Sequence, residues 1–494
     1  MSDKSKPQKK KSNIKLLIIS AVCLALMVAA LIFLMRQDSG EAAEEETTTA
    51  APQSQSRLLY DKDPSSIESI AITNDKSTYT VKKFADDAWL IEDLPTTEHD
   101  TNAMTALLNS SATLTADQVI SENATDLSIY GLDKPRATAV ITFSDGKART
   151  ITVGNDTPQS GLTYAQLDDD GKVYAIKTSS LAAYMNNKFD LLRKRIYLVR
   201  QAADENDKTD YTKIDRITIE RKDLDYPIVL EYDVRQDDDN VISGNSSTHV
   251  MTEPVRLDLN PDKAYDVINN IFGLTASEIV VVAPSDETKA KYGFDDPYCT
   301  VKWEIAGEPF TVCFGNEYKD ADGKKAGYYG MADGLDEIFI FDLADIPWVS
   351  CDVKSMTMTM ITSNYVYNMD SFEITTPDKH YSFTLNKDMA NFAAHCVETD
   401  QDMDPDLFKN YYQYFLRTPA EELYLEETDI APMVTVKIKA GDKTDLIEYI
   451  DIGGRQCAIR LNGKMSYQCR MTYTNRLIEN LDRLFNGEDM ITTW

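Results

Sequence analysis

A fourteen-residue string starting at Tyr130, YGLDKPRATAVITF, returns 162 residues later at Tyr292 as YGFDDPYCTVKWEI. The string ARTITVGN (residues 148–155) then returns 161 residues later as PFTVCFGN (residues 309–316). Eight of these 22 positions are identical, where ordinary residue usage gives roughly one or two. A near-constant offset with a shared pattern means one structural unit written twice, and this constrains the fold more than any other feature. After each proline the apolar residues alternate, Ala139, Ile141 and Phe143 in one copy and Val301, Trp303 and Ile305 in the other, as in a strand with one buried face. A third, divergent and shorter copy follows Pro432. There Val434, Val436 and Ile438 alternate with Thr435, Lys437 and Lys439, without the Tyr-Gly-x-Asp-x-Pro lead-in.

Each unit opens with an alternating strand, at residues 67–72, 214–219 and 369–374. A helix follows: from Asp100 through Leu107 and Leu108, from Asn260-Pro261 through Val267, Ile268 and Ile271, and from Asp404-Pro405 through Leu407, Phe408, Tyr411 and Phe415. Asn260 and Asp404 are expected N-caps, each with proline at the first helical position. A meander of about four strands comes next, with tight turns expected at Asp145-Gly146, Asp170-Gly171 and Asn462-Gly463. Short helices near residues 180–187 and 474–485 close units one and three. The expected fold is α+β: three tandem, mostly antiparallel β-rich modules, each with one or two helices, preceded by one transmembrane helix. The module boundaries are 58–205, 206–358 and 359–494.

The transmembrane element is read from residues 16–35, an apolar run interrupted only by Ser20 and Cys23 and long enough to cross a bilayer of ~30 Å. It is too long for the apolar core of a cleaved signal peptide, and Val22 argues against a lipoprotein signal at Cys23. Residues 1–36 carry seven Lys and Arg against Asp3 alone, net +6, which leaves 44 basic and 80 acidic residues beyond Arg36, net −36. The basic tail 1–15 is therefore expected in the cytoplasm and the bulk of the chain outside the cell, with the cell membrane as partner through the N-terminal helix. Residues 37–57, rich in Glu, Thr, Ala and Ser, read as a disordered linker. An acidic array with basic residues clustered only near its N-terminus excludes nucleic acid as a partner.

Chemistry-bearing patterns are sparse. Tyr130, Gly131, Asp133 and Pro135, with Tyr292, Gly293, Asp295 and Pro297, read as turns: glycine for a left-handed residue, Asp as cap, Pro fixing the strand start, Tyr packing beneath. Gly154-Asn155 and Gly315-Asn316 read as strand-ending turns. The acidic runs at residues 168–171, 237–240 and 320–323 invite calcium, the last most of all, but none has EF-hand spacing, so solvated hairpin tips are expected. His99, His249, His380 and His395 fit no zinc spacing, and no nucleophile elbow, phosphate loop or dinucleotide fingerprint occurs. Cys299, Cys313, Cys351, Cys396, Cys457 and Cys469 are open to either disulfides or buried thiols, with Cys457 and Cys469 near one another across the Asn462-Gly463 hairpin. Tyrosine clusters at Tyr328-Tyr329 and Tyr411-Tyr412-Tyr414 fit contact surfaces or simply strands and core. No catalytic, cofactor-binding or metal-binding residue and no cofactor is assigned.

The segment YGLDKP, followed by ATAVITF, DGKARTITVGN and TYAQLDDDGKVYAI, resembles a bacterial membrane-anchored family catalogued as domain of unknown function 4340, in tandem copies. The resemblance is best over about 70–200, recurs over about 215–345 and is faint in the last unit. It implies association with ABC-type export or gliding-motility-like transporters and no enzymatic activity. The expectation is thus a single-pass extracytoplasmic scaffold or accessory protein whose partners are ABC transporter subunits. A cell-envelope ligand-binding protein for a glycan, peptide or cation is the alternative, and an unrecognised hydrolase a remote one.

Overall fold

Alternating apolar residues at Ile67, Ile70 and Ile72 bury one face of the strand Ile67–Asn74, and that strand is central in its sheet. In the computed structural model, which describes residues 56–84, 88–237, 247–358 and 361–494, it pairs on one side with Thr78–Lys83 and on the other with Ala137–Phe143. The first sheet has eight antiparallel strands, in spatial order Trp89–Ile91, Thr78–Lys83, Ile67–Asn74, Ala137–Phe143, Ala148–Asp156, Leu162–Leu167, Val173–Lys177 and Gln118–Ser121.

The second and third sheets, of nine strands each, follow the same order. In the second, Ile214–Arg221 pairs with Ile228–Tyr232 and Cys299–Ile305; the meander continues through Glu308–Lys319, Lys325–Ala332 and Glu337–Asp342, and Glu278–Val282 closes the edge. In the third, Ser371–Thr375 pairs with His380–Leu385 and Val434–Ala440; Lys443–Gly453, Gln456–Leu461 and Lys464–Arg470 follow, and Glu422–Leu423 closes the edge. In every sheet the opening strands lie toward one edge and a strand that comes after the helix closes the other; in the first unit Thr113–Ala116, directly after the helix, pairs instead with Arg57–Asp61 in a small sheet of its own. The helix therefore has to carry the chain across a sheet face, and it buries that face on the way.

The helices are amphipathic for this purpose. Thr101–Ala112 buries Met104, Leu107, Ser111 and Ala112; Pro261–Gly273 buries Ala264, Val267, Ile268 and Ile271; Pro405–Leu416 buries Phe408, Tyr411, Tyr412, Tyr414 and Phe415. Asp100, Asn260 and Asp404 each accept two backbone N–H bonds from the first turn, satisfying donors a helix start leaves open. The alternating residues read from sequence face these helices: Ala139, Ile141, Phe143, Val301, Trp303, Ile305, Val434, Val436 and Ile438 are all buried.

Residues Arg57–Trp494 form one unit. The first two sheets share a continuous apolar core, and Val255 and Leu257, beside the edge of the second sheet, pack into the core of the third. Backbone hydrogen bonds stitch the first seam: Ile196 N–H donates to Leu274 (2.9 Å) and Ala276 N–H to Lys194 (2.8 Å). At the second seam Thr357 Oγ1 and Tyr467 OH lie 2.7 Å apart and Lys464 pairs with Glu253 at 2.7 Å.

One expectation needs correction. The transmembrane helix expected ahead of the modules finds no support: among the described residues no helix is long and apolar enough to cross a membrane. Met471–Asn486 has 16 residues, about 24 Å at 1.5 Å per residue, and carries Arg476, Glu479, Asp482 and Arg483 on its exposed side. The run at residues 16–35, the basic tail and most of the linker lie outside the described residues. The third unit, shorter in chain length, nevertheless has as many strands in its sheet as the second; it lacks the Tyr-Gly lead-in, its chain running from Glu422–Leu423 to Val434 without a helix. Two of the strands that close a sheet edge, Gln118–Ser121 and Glu422–Leu423, are too short for alternation to show in the sequence.

Candidate functional site

The paired lead-ins are structural. Gly131 and Gly293 take φ of +69° and +87°, and each sits against the Asn of the Gly-Asn pair in its own unit: an added Cβ would meet Asn155 at 2.5 Å and Asn316 at 2.6 Å. The following contact is reciprocal, for a Cβ on Gly154 or Gly315 would lie 2.2 or 2.3 Å from the carbonyl oxygen of Tyr130 or Tyr292. Asn316 N–H donates to Tyr292 O at 2.8 Å and its side chain to Lys291 O at 3.0 Å. Tyr130 stands edge-on to Tyr164 (5.1 Å) and Tyr292 to Tyr329 (4.6 Å). The Gly-Asn pairs do not end their strands. They lie at bulges, between Val153 and Asp156 and between Phe314 and Glu317, which open room for the lead-in backbone. Asp133 and Asp295 are exposed and have no side-chain hydrogen bond among the described contacts, so the cap role expected of them is not what holds the turn.

The acidic loops are turns in which Asp168, Asp170, Asp237 and Asp320 are already engaged. Asp168 accepts from Thr150 N–H (2.8 Å) and pairs with Arg149; Asp170 accepts from Lys172 N–H (2.9 Å) and Tyr174 OH (2.6 Å). Asp320 accepts from the N–H groups of Asp322 and Lys324 (3.0 and 2.9 Å). Asp237 accepts from Tyr232 OH, and residues 238–240 lie outside the described residues. Among the described residues no three His, Cys, Asp or Glu side chains are grouped to hold a metal ion.

The histidines serve local structure. Ile91 N–H donates to His99 Nε2 (2.9 Å), His249 is buried with Nε2 2.9 Å from Ile214 O, and His395 pairs with Asp402 at 2.8 Å. His380 lies 3.6 Å from Glu398. All six described cysteines are free thiols; Cys457 and Cys469 face each other across neighbouring strands and touch Met433, Met471 and Thr474 instead. Burial pushes the Cys351 thiol up to about 11 and Cys469 to about 12. Of the tyrosine clusters, Tyr328, Tyr411, Tyr412 and Tyr414 belong to the core, and Tyr329 is half-buried against Tyr292.

The feature with the character of a site lies elsewhere, in a cleft of about 290 Å³ at the first seam. One wall is the loop 93–98 after the first sheet's edge strand; the other comes from residues 282–283 and the turn 334–337 of the second. Four carboxyl groups border it. Asp93 pairs with Lys188 (2.7 Å), Glu98 with Arg193 (2.8 Å) and Asp336 with Lys289 (3.9 Å). Glu337 is only 7% exposed and its Oε2 has no hydrogen-bond partner. Burial, and then the neighbouring Asp336, raise its carboxyl above the usual range, with Arg193 opposing. Ala283 is held at φ +50°, a conformation alanine seldom adopts, with its N–H donating to Asp336 O at 2.8 Å.

Nothing in the chain's order pointed to this cleft. With 81 acidic residues no single Glu stands out, and residues 93–98 meet 334–337 only through the packing of two sheets. No curated protein and no solved structure matches the chain. Over residues 89–297, from the first sheet's edge strand to the proline of the second lead-in, the chain matches the family model described as "Domain of unknown function (DUF4340)".

Proposed function

We propose that this chain is a non-enzymatic extracytoplasmic scaffold built from three copies of one unit, working as an accessory to an ABC-type transporter complex at the cell membrane. The observation that carries the reading is the shared strand order of the three sheets together with their stitched seams. Tandem units that lock edge to neighbour present a long surface of fixed spacing, which suits contact with a large partner better than chemistry in one pocket. The family resemblance supports the transporter partner. The composition of residues 1–36 supports the location, with basic residues preceding an apolar run and net −36 beyond it. A high negative charge also keeps such an array soluble beside an anionic surface.

Affinity capture of the full chain from its native membranes under gentle solubilisation tests the reading. Recovery of transporter subunits in fixed ratio is the expected result. Recovery of no transporter component, from cells in which the protein is abundant, overturns it.

A further inference from the structure

Two thioethers converge on one buried thiol in the third unit. Met433 Sδ lies 3.6 Å from Cys457 Sγ, and Met471 Sδ lies 3.5 Å from it. The three residues stand at the starts of three elements, the strands Val434–Ala440 and Gln456–Leu461 and the helix Met471–Asn486. Backbone bonds fix two of them in place: Met433 N–H donates to Tyr449 O at 2.8 Å and Met471 N–H to Arg455 O at 2.9 Å. Cys457 is fully buried whereas Met433 and Met471 are partly exposed, which puts the cluster one side chain beneath the surface. We propose that Met433, Cys457 and Met471 bind one copper(I) ion.

Three considerations select this ion. Thiolate and thioether sulfurs are soft ligands, and a set made mainly of thioethers suits copper(I). Zinc takes thiolate, imidazole and carboxylate instead, and among the described residues no three such groups come together, although Cys469 faces Cys457 in register with its sulfur 3.7 Å from Thr474 Oγ1. The spacing fits: with metal–sulfur bonds of about 2.3 Å, sulfurs 3.5 and 3.6 Å apart subtend about 100° at a shared ion, close to tetrahedral. Charge fits as well. Binding releases the Cys457 thiol proton to solvent, so one thiolate and one monovalent cation leave the buried site neutral, whereas a divalent ion on the same three sulfurs would leave a buried charge.

The test is titration of the reduced full chain with copper(I) under nitrogen, against bicinchoninate as the coloured competitor, with zinc chloride as the second metal. X-ray absorption reads the ligands of the tightest equivalent. The expected result is one copper(I) withheld from bicinchoninate, only sulfur at about 2.3 Å around it, and no displacement by zinc. Met433→Leu and Met471→Leu conserve volume and so keep the packing while removing one sulfur each; both should weaken binding by at least about tenfold. Cys457→Ser should abolish it, and the two leucine variants decide the matter should that buried hydroxyl impair folding. Met389→Leu, at an exposed methionine outside the cluster, should bind as the parent does. No copper(I) withheld, nitrogen or oxygen among the ligands, displacement by zinc, or unchanged affinity in either leucine variant overturns the proposal. Copper(I) held adventitiously by other thiols of the chain would survive all three substitutions in the cluster, which also overturns it.

Discussion

Replacing Gly315 by alanine isolates what the repeated lead-in does for the fold. The new Cβ would lie 2.3 Å from Tyr292 O and 3.2 Å from the carbonyl carbons of Tyr292 and Gly293, where ordinary contact begins at 3.4 Å. All three are backbone atoms, so no side chain can move aside, and the lead-in has to lift by about 1 Å, an overpacking displacement that costs ~1–3 kcal/mol. The same displacement stretches the 2.8 Å bond from Asn316 N–H to Tyr292 O, which adds ~0.5–1.5 kcal/mol. The sum is ~1.5–4.5 kcal/mol. Two further glycines of the second unit separate crowding from backbone conformation. Gly307 has φ +78° and open space around it, so Gly307→Ala should cost only the left-handed penalty of ~1–2 kcal/mol. Gly273 has neither feature and ends a helix, so Gly273→Ala should be neutral or stabilising by up to ~1 kcal/mol. Urea unfolding followed by tryptophan fluorescence reports on this unit, because Trp303 and Trp348 are both fully buried there and stack 6.4 Å apart. If Gly315→Ala shifted stability by no more than Gly307→Ala, the lead-in would not be a close-packed brace and the argument would be wrong.

Arg235 joins the buried Asp233 and the partly buried Asp258 at 2.7 and 2.6 Å, so Arg235→Met should destabilise the chain by ~3–5 kcal/mol in chemical denaturation, by removing the cation that offsets both carboxylates. Two groups set opposite pH slopes. His249 is kept neutral by burial, so the unfolded chain takes up protons first, and its contribution is present above the ordinary imidazole range and lost as pH falls; His249→Gln should flatten that acid limb in melts at graded pH. Glu337 holds its proton longer in the fold, so its contribution is present below the ordinary carboxyl range and lost as pH rises toward the raised value; Glu337→Gln should be at least as stable as the parent at neutral pH. Five of the six described thiols are buried, so iodoacetamide should label native protein slowly at pH 8, Cys313 first, and all six rapidly in denaturant, as mass spectrometry would show.

What could be read without the structure was whatever is decided by neighbours in the chain. Alternation placed Ala139, Val301 and Val436 on buried faces, because side chains of a strand point to opposite sides whatever the strand pairs with. Asn260 and Asp404 announced their helices because a cap acts on the next three residues. The repeat at a constant offset supplied the organisation, since equal strings in equal contexts make equal local structure.

What only tertiary packing decided was everything that depends on a partner distant in the chain. Glu422–Leu423 is a strand because Lys464–Arg470 offers it an edge, not because two residues can prefer that state. The tyrosines at 411, 412 and 414 became core when their helix was laid on the third sheet. Glu337 carries the same carboxyl group as its exposed neighbour Asp336 but is buried, and the loop at 93–98 that helps to surround it belongs to another sheet. Charge is written in the sequence; desolvation and pairing, which decide what a charge does, are properties of position in space.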